Sequence, residues 1–140
     1  MTYLFAGGLQ TAVYRRLAAD AALGELVGTA VYDAPLEYRP DDATPDYVTL
    51  GEERARPNDT KTSAGAIHDF SVTIHSGRDG FDRVKRIAAA VCDALVDAPL
   101  TLDRGHLVGL RFLLARAERG PAPEKRKVTL QFRAVVDQDD

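Results

Sequence analysis

Three histidines and one cysteine are the side chains with which this sequence could bind a transition metal or supply a nucleophile. His68 and His75 are an odd number of residues apart in one alternating run, so they are predicted to project from opposite faces of a strand. His106 stands at the entry to a later strand, and Cys92 borders the apolar stripe of a helix. Because no pair has metal-ligand spacing, the sequence favours surface or half-buried histidines and a core cysteine.

Carboxylates are the second group that could do chemistry, since two of them converging in a cleft can act as general acid and base. The candidates are Asp33, Glu52, Glu53, Asp69, Asp79 and Asp82. Asp79 and Asp82 are instead predicted to cap a helix and to add negative charge to its first turn. The Glu52-Glu53 pair is predicted to end a strand in solvent. Nothing in the sequence places two carboxylates together, so no catalytic pair is predicted.

Signatures of covalent catalysis and of phosphate binding are also missing from the sequence. No serine lies in a G-x-S-x-G elbow, and Cys92 has no histidine partner that the sequence identifies. The Ala6-Gly7-Gly8 segment matches neither the dinucleotide-binding nor the P-loop pattern, and we interpret it as a flexible lead-in to a helix. Neither a cofactor nor an enzymatic activity is predicted.

Basic residues could mark a nucleic-acid surface, which needs a basic patch with stacking aromatics. Here most aromatics belong to apolar patterns, and alternation places Arg111 and Arg133 off the faces that carry Phe112 and Phe132. The formal net charge of −3 gives no electrostatic argument for a nucleic-acid or membrane partner. Basic side chains that face solvent or another subunit are favoured. The residues concerned are Arg54, Arg56, Lys61, Arg111, Arg116 and Arg133.

The stretch from Asp69 to Val136 contains the elements that organise the chain. Alternating apolar residues predict a strand over Phe70–His75. Apolar residues at spacings of three and four from Phe81 to Leu95 predict an amphipathic helix, which Pro99 is expected to stop. Two further alternating runs, 108–114 and 128–134, predict strands joined by a turn at 120–123. A helix lying across a largely antiparallel sheet is the expected result.

Two helices are predicted near the start of the chain. Helical spacing of apolar residues indicates the first, from about Gly8 to Ala22. Asp20 could cap a short second helix, Ala21–Val27, which Gly28 would end.

Short strands and polar connections are predicted between these helices and the organising stretch. The strands are Val31–Tyr32 and Tyr47–Leu50, and the proline-rich segment 33–46 between them is predicted to be an irregular loop. The segment Arg54–Gly65 is too polar to pack a core. We interpret it either as a long loop or as a hairpin arm that partners outside the monomer would order.

Length and composition predict a single domain, 1–140, with a true hydrophobic core. Apolar content of 45% and charged content of 28% are ordinary for a globular protein. The lone Cys92 excludes an internal disulfide, and no apolar run approaches the ~20 residues that a membrane-spanning helix needs. The predicted fold class is α+β, with a mostly antiparallel β-sheet, two main helices packed on one face and the polar loop or arm.

Several motifs occur in a characteristic order along the chain. They are Leu9–Leu17 with Asp20–Leu23, Val31–Pro35, Tyr47–Glu52, Thr60–Thr62 and Asp93–Leu100. Together they resemble the DUF3168 family of tail-completion proteins, which occur in siphophages, prophages and gene transfer agents. The resemblance covers nearly the whole chain, and the order of the motifs carries it.

The resemblance implies a tail terminator, a structural protein without catalytic residues, metal or cofactor. Six copies would form a ring on the head-proximal end of the tail tube, stop its growth and join it to the head–tail connector. The implied partners are thus a homo-hexamer, the major tail tube protein and the connector, with DNA passing through the lumen without specific binding and no membrane. The protein would be assembled in the bacterial cytoplasm and reside in the neck of a virion or gene transfer agent particle.

The polar segment Arg54–Gly65 is the predicted contact with a neighbouring subunit or the tube. It has too few apolar residues to order itself, and its candidate interface residues are Arg54, Arg56, Lys61 and Thr62. The residues leave one alternative open, a small α+β enzyme or ligand-binding domain with an unrecognised pocket.

Overall fold

The computed structural model describes residues 3–33, 46–77, 81–119 and 125–138. Within them the chain forms three helices, α1 (Ala6–Ala19), α2 (Ala21–Val27) and α3 (Asp82–Leu95). It also forms five strands, β1 (Val31–Tyr32), β2 (Asp46–Pro57), β3 (Gly65–Ser76), β4 (His106–Arg119) and β5 (Arg126–Asp137). The predicted turn at 120–123, most of the predicted loop 33–46 and the predicted cap Asp79 lie outside the described residues.

The strands form one sheet in the order β1-β2-β3-β5-β4. The short β1 is parallel to β2, and each other neighbouring pair is antiparallel. The predicted strands are all present, and β2 to β5 extend beyond their predicted ends. The α+β fold with a mostly antiparallel sheet is therefore confirmed.

The two faces of the sheet differ because successive side chains of a strand point to opposite sides. One face packs against the helices and carries the core residues of the strands, among them Val72, Ile74, Leu130 and Phe132. We call it the helical face. The opposite face carries half-buried polar residues, among them Ser71, Thr73, Thr129 and Gln131. We call this second side the open face.

Helix α3 buries the predicted apolar stripe, but it ends several residues before Pro99. Its last residue is Leu95, and the N–H of Val96 donates to the carbonyl of Cys92 at 2.9 Å. Asp97 then adopts φ 58°, a left-handed conformation that closes a helix, and its N–H donates to the carbonyl of Leu110 at 3.0 Å. The prediction that Pro99 stops the helix is therefore wrong, because a local turn ends it first. None of the described helices combines the length and apolar character needed to cross a membrane.

The break between α1 and α2 follows the predicted capping. The Asp20 carboxylate accepts a hydrogen bond from the N–H of Leu23 at 2.9 Å, and Gly28 ends α2 with φ 62°. Helix α1 begins at Ala6, so the interpretation of Ala6-Gly7-Gly8 as a flexible lead-in is wrong. Gly8 also packs so closely that a Cβ there would clash with the Asp103 carboxylate.

The polar segment after Leu50 is a hairpin arm rather than a long loop. β2 continues through Arg54 and Arg56 to Pro57, and β3 begins at Gly65. Because β3 lies between β2 and β5, both strands of the arm are paired within the monomer. The interpretation as a loop is therefore wrong, and so is the expectation that outside partners are needed to order the segment.

The tip of this arm, residues 58–64, is held by its own hydrogen bonds. The N–H of Asn58 donates to the carbonyl of Gly65 at 3.0 Å. The hydroxyl oxygen of Thr60 accepts from the N–H of Thr62 at 3.3 Å and from that of Ser63 at 3.0 Å. The tip is therefore a defined turn despite its lack of apolar residues.

Candidate functional site

Glu53 joins two ring side chains at the helical face. Its Oε2 lies 3.0 Å from Nδ1 of His68, and the Tyr3 hydroxyl donates a hydrogen bond to its Oε1. That bond, together with the negative charge of Glu53, raises the pKa of Tyr3. Both Glu52 and Glu53 lie inside β2, and Glu53 is half-buried. The prediction that the pair ends a strand in solvent is therefore wrong.

This Tyr3–Glu53–His68 cluster lacks the access that a catalytic centre needs. The side chain of His68 is 0% exposed, and its Nε2 has no hydrogen-bond partner among the described residues. A general base must come within hydrogen-bond reach of a substrate proton, and a fully buried imidazole cannot do so. We interpret the cluster as a structural link between the N-terminal segment and strands β2 and β3.

The other sequence candidates for metal binding or nucleophilic chemistry do not form a site. His75 faces the opposite side from His68, as predicted, and its ring stacks on Tyr47 with centroids 4.4 Å apart. Burial, and then the charge of Asp93, raise the pKa of the half-buried Cys92, which makes its thiol a poor nucleophile. Across the described ranges, no three His, Cys, Asp or Glu side chains are grouped closely enough to hold a metal ion.

A groove of about 540 Å³ runs beside the start of α1. Its polar side chains are those of Thr11, Arg15, Arg16, Thr101 and Asp103. Arg16 is engaged in the fold, since its Nε donates to the carbonyl of Ala94 at 2.9 Å. The lining contains one carboxylate and neither histidine nor cysteine, so it offers no acid–base pair. The alternative of an enzyme with an unrecognised pocket gains no support from this groove.

A row of charged residues crosses the open face instead. Arg54, Asp69, Arg133 and Arg111 are register partners on four neighbouring strands. Arg133 holds Asp69 in a two-bond pair, with Nε–Oδ1 at 2.8 Å and Nη2–Oδ2 at 3.0 Å. This hydrogen bonding, aided by the charges of Arg133, Arg56 and Arg54, lowers the pKa of Asp69. The predicted placement of Arg111 and Arg133 away from Phe112 and Phe132 follows from the same register.

The predicted interface residues lie together on the arm. Arg54 and Arg56 are exposed at its open face, where alternate positions of β2 project to the same side. Lys61 and Thr62 are exposed at its tip. All four predicted residues are therefore exposed on the arm, two on its strand β2 and two at its tip.

The edge strand β4 forms a second exposed surface that the sequence pattern did not reveal. Val108, Phe112 and Leu114 are 59%, 43% and 48% exposed, although alternation along 108–114 predicts one buried set. Register shifts at Leu107/Gly109 and Phe112/Leu114 each insert an extra residue and switch the faces. The uninterrupted apolar run of Phe112, Leu113 and Leu114 breaks strict alternation and was the available signal.

The comparison with known families decides what kind of protein carries these surfaces. Residues 11–137 match the family described as tail completion protein gp17. The chain belongs to this family. The resemblance to tail-completion proteins is thus confirmed, and the protein is a structural tail protein of phage type.

A solved particle contains a close relative of this tail completion protein. The relative is a chain from the virion of a native gene transfer agent particle, with 49% sequence identity and a TM-score of 0.88. The match covers 97% of this chain and 99% of the other. None of the curated proteins compared with the chain shows significant similarity. For a structural tail protein, the exposed arm and the β4 edge are the surfaces to consider, rather than a pocket.

Proposed function

We propose that this tail completion protein is a tail terminator. Six copies form a ring that caps the head-proximal end of the tail tube, stops its polymerisation and joins the tail to the head–tail connector. The observation that carries the proposal is the match, over nearly the full length of both chains, to a protein of a gene transfer agent virion. The proposed location is therefore the neck of a phage or gene transfer agent particle.

The shape of the domain suits a closed ring. Such a ring joins copies head to tail, so each subunit needs two different surfaces that fit one another. The arm with Arg54, Arg56, Lys61 and Thr62 provides one such surface, and the exposed β4 forms the edge of the sheet on the side away from β2. The proposed partners are sister copies, the tube protein and the connector. DNA passes through the lumen without sequence-specific contacts.

Deletion of the gene tests this proposal directly. We expect particles from a deletion strain to have overlong tails or tails without heads, because tube growth is neither stopped nor coupled to the head. Electron micrographs of negatively stained particles provide the readout, with tail length measured against a complemented strain. Normal particles from the deletion strain would contradict a role as terminator.

Charge removal on the arm tests its proposed role in assembly. Substituting Arg54→Ala, Arg56→Ala and Lys61→Ala together is expected to lower the yield of complete particles by about tenfold or more. A loss of only about 1.4 kcal/mol of contact free energy changes an association constant tenfold. The free energy of unfolding of the monomer should change little, because these side chains are exposed.

The matched control removes three exposed basic residues from the helices, with Arg15→Ala, Lys85→Ala and Arg86→Ala. This variant has the same change in net charge and should give wild-type particle yields. Wild-type yields from the arm variant, or equal losses from both variants, would show that the arm is not a specific contact.

A further inference from the structure

Strand β4 leaves one long edge of the sheet without a partner strand in the described part of the chain. After the second register shift, the six residues Leu114–Arg119 pair with β5 in regular register. All of them are exposed except the half-buried Glu118. Such a segment presents a row of backbone N–H and C=O groups on which another strand can align. This edge is therefore a template for strand addition.

A second open edge lies at the other side of the same sheet. Among the described residues, β1 covers β2 only through the pairs at Val48 and Thr49. The remaining stretch of β2, Gly51–Pro57, pairs with β3 on its inner side, interrupted only by the register shift between Leu50 and Glu53. Its outer side carries no strand in the described ranges. Within the described ranges, the sheet thus ends in two different edges of similar length that carry no partner strand.

The directions of these two edges are compatible. β2 is antiparallel to β3, β3 to β5 and β5 to β4, so β2 and β4 run in opposite directions. Through the register partners, Ala115–Arg119 of β4 lie level with Asp46–Leu50 of β2 in the same chain. Around an axis inclined to the strands, β4 of one copy can therefore meet Gly51–Pro57 of the next copy in antiparallel orientation, displaced along the strand as in the tilted strands of a closed barrel. Antiparallel pairing gives straight hydrogen bonds and continues the pattern of the sheet.

The charges of the two edges can also complement each other. The β4 segment carries Arg116, Glu118 and Arg119, and the β2 segment carries the exposed Glu52, Arg54 and Arg56. Both signs occur on each edge, so a register that opposes unlike charges is favoured over one that opposes like charges. The exposed side chain of Leu114 would be covered by the neighbouring strand, which removes apolar surface from water.

We propose that β4 of one copy pairs with the Gly51–Pro57 stretch of β2 in the next copy. The sheet then continues from subunit to subunit around the ring. This inference rests on the proposed function, because it specifies the head-to-tail contact that closes the ring. A symmetric pairing of two β4 strands would close a dimer and leave both β2 edges open, so it cannot build a ring by itself.

Disulfide trapping in assembled particles tests the pairing. In a Cys92→Ser background, Arg116→Cys on β4, which lies on the same open face as Arg54 and Arg56, is combined in separate double variants with Glu52→Cys, Arg54→Cys or Arg56→Cys. Within one chain the two sites lie three strand spacings apart, about 14 Å, which is too far for a disulfide. After oxidation, at least one double variant is expected to give a ladder of covalent multimers on non-reducing gels, and no single variant should do so.

Each result has one meaning. Dimers from the Arg116→Cys variant alone would overturn the proposal in favour of symmetric β4 pairing. Assembled particles without a ladder from any double variant would overturn the pairing while leaving the terminator function in place. Normal particles from the deletion strain would instead contradict the proposed terminator function itself.

A second variant covers the case in which the cysteine variants do not assemble. Leu114→Lys places a charge on the β4 edge and is expected to lower particle yield by about tenfold or more, since the charge would be buried in the contact. Tyr14→Lys changes another exposed apolar residue, on α1, and should leave the yield unchanged. Equal yields from the two lysine variants would overturn the pairing.

Discussion

Replacing Phe132 by alanine is expected to lower the free energy of unfolding by about 3–5 kcal/mol. The Phe132 side chain is 0% exposed and lies in the middle of β5. Its ring stacks on Phe70 with centroids 5.6 Å apart and meets the edge of Phe112 at 6.1 Å. Removing it leaves a cavity at the centre of the sheet, and the loss is a large part of the 5–15 kcal/mol that typically stabilises a domain.

Urea unfolding of the isolated chain, followed by circular dichroism, measures this effect. Phe112→Ala is the matched control, because Phe112 is the register partner of Phe132 but is 43% exposed. The control is expected to lose only about 1 kcal/mol, since water already reaches much of its ring. Equal losses from the two variants would mean that the helices do not cover β5 more completely than β4.

Replacing Asp46 by alanine is expected to cost about 3 kcal/mol of stability. Asp46 is 4% exposed and accepts hydrogen bonds from the Ser76 hydroxyl at 2.7 Å and from Nε of Arg83 at 3.0 Å. The same guanidinium donates to the carbonyl of Leu26 at 2.8 Å, so one carboxylate connects β2, β3, α3 and the end of α2. Its removal would leave the Arg83 guanidinium at the edge of the core without its carboxylate partner.

Asp82→Ala provides the matched control for this buried pair. Asp82 also pairs with an arginine of α3, Arg86, at 3.0 Å, but its side chain is 88% exposed. We expect this control to lose less than about 1 kcal/mol, because solvent screens the exposed pair. Thermal or urea unfolding of both variants separates the two cases. A smaller loss for Asp46→Ala than for Asp82→Ala would contradict the connecting role.

Elements with one fully covered face could be predicted from the sequence. The stripe of α3, the alternation of β3 and β5 and the cap at Asp20 each reflect a local pattern that tertiary packing reinforces. The continuation of β2 through Arg54 and Arg56 could not be predicted, because exposed polar residues there give no alternation. Its strand structure comes from pairing with β3, which local sequence does not encode.

Features that depend on the register between distant strands could also not be predicted from the sequence. The exposure of Val108 and Leu114 results from two register shifts against β5. Glu53 is half-buried because the register shift after Leu50 turns it to the helical face, where it meets His68. The candidate surfaces are hard to predict for a further reason. An interface between copies has no signature within one chain beyond exposure and charge. Only the order of several motifs, none of them specific by itself, indicated the family.

The hydrogen-bonded turn at residues 58–64 affects how the arm can dock. Fixing the backbone of one residue removes about 1–2 kcal/mol of conformational entropy, and here the turn around Thr60 and Ser63 has lost it during folding. If the arm docks as proposed, its partner meets a preorganised loop and need not immobilise it. Docking then requires no disorder-to-order transition at the tip.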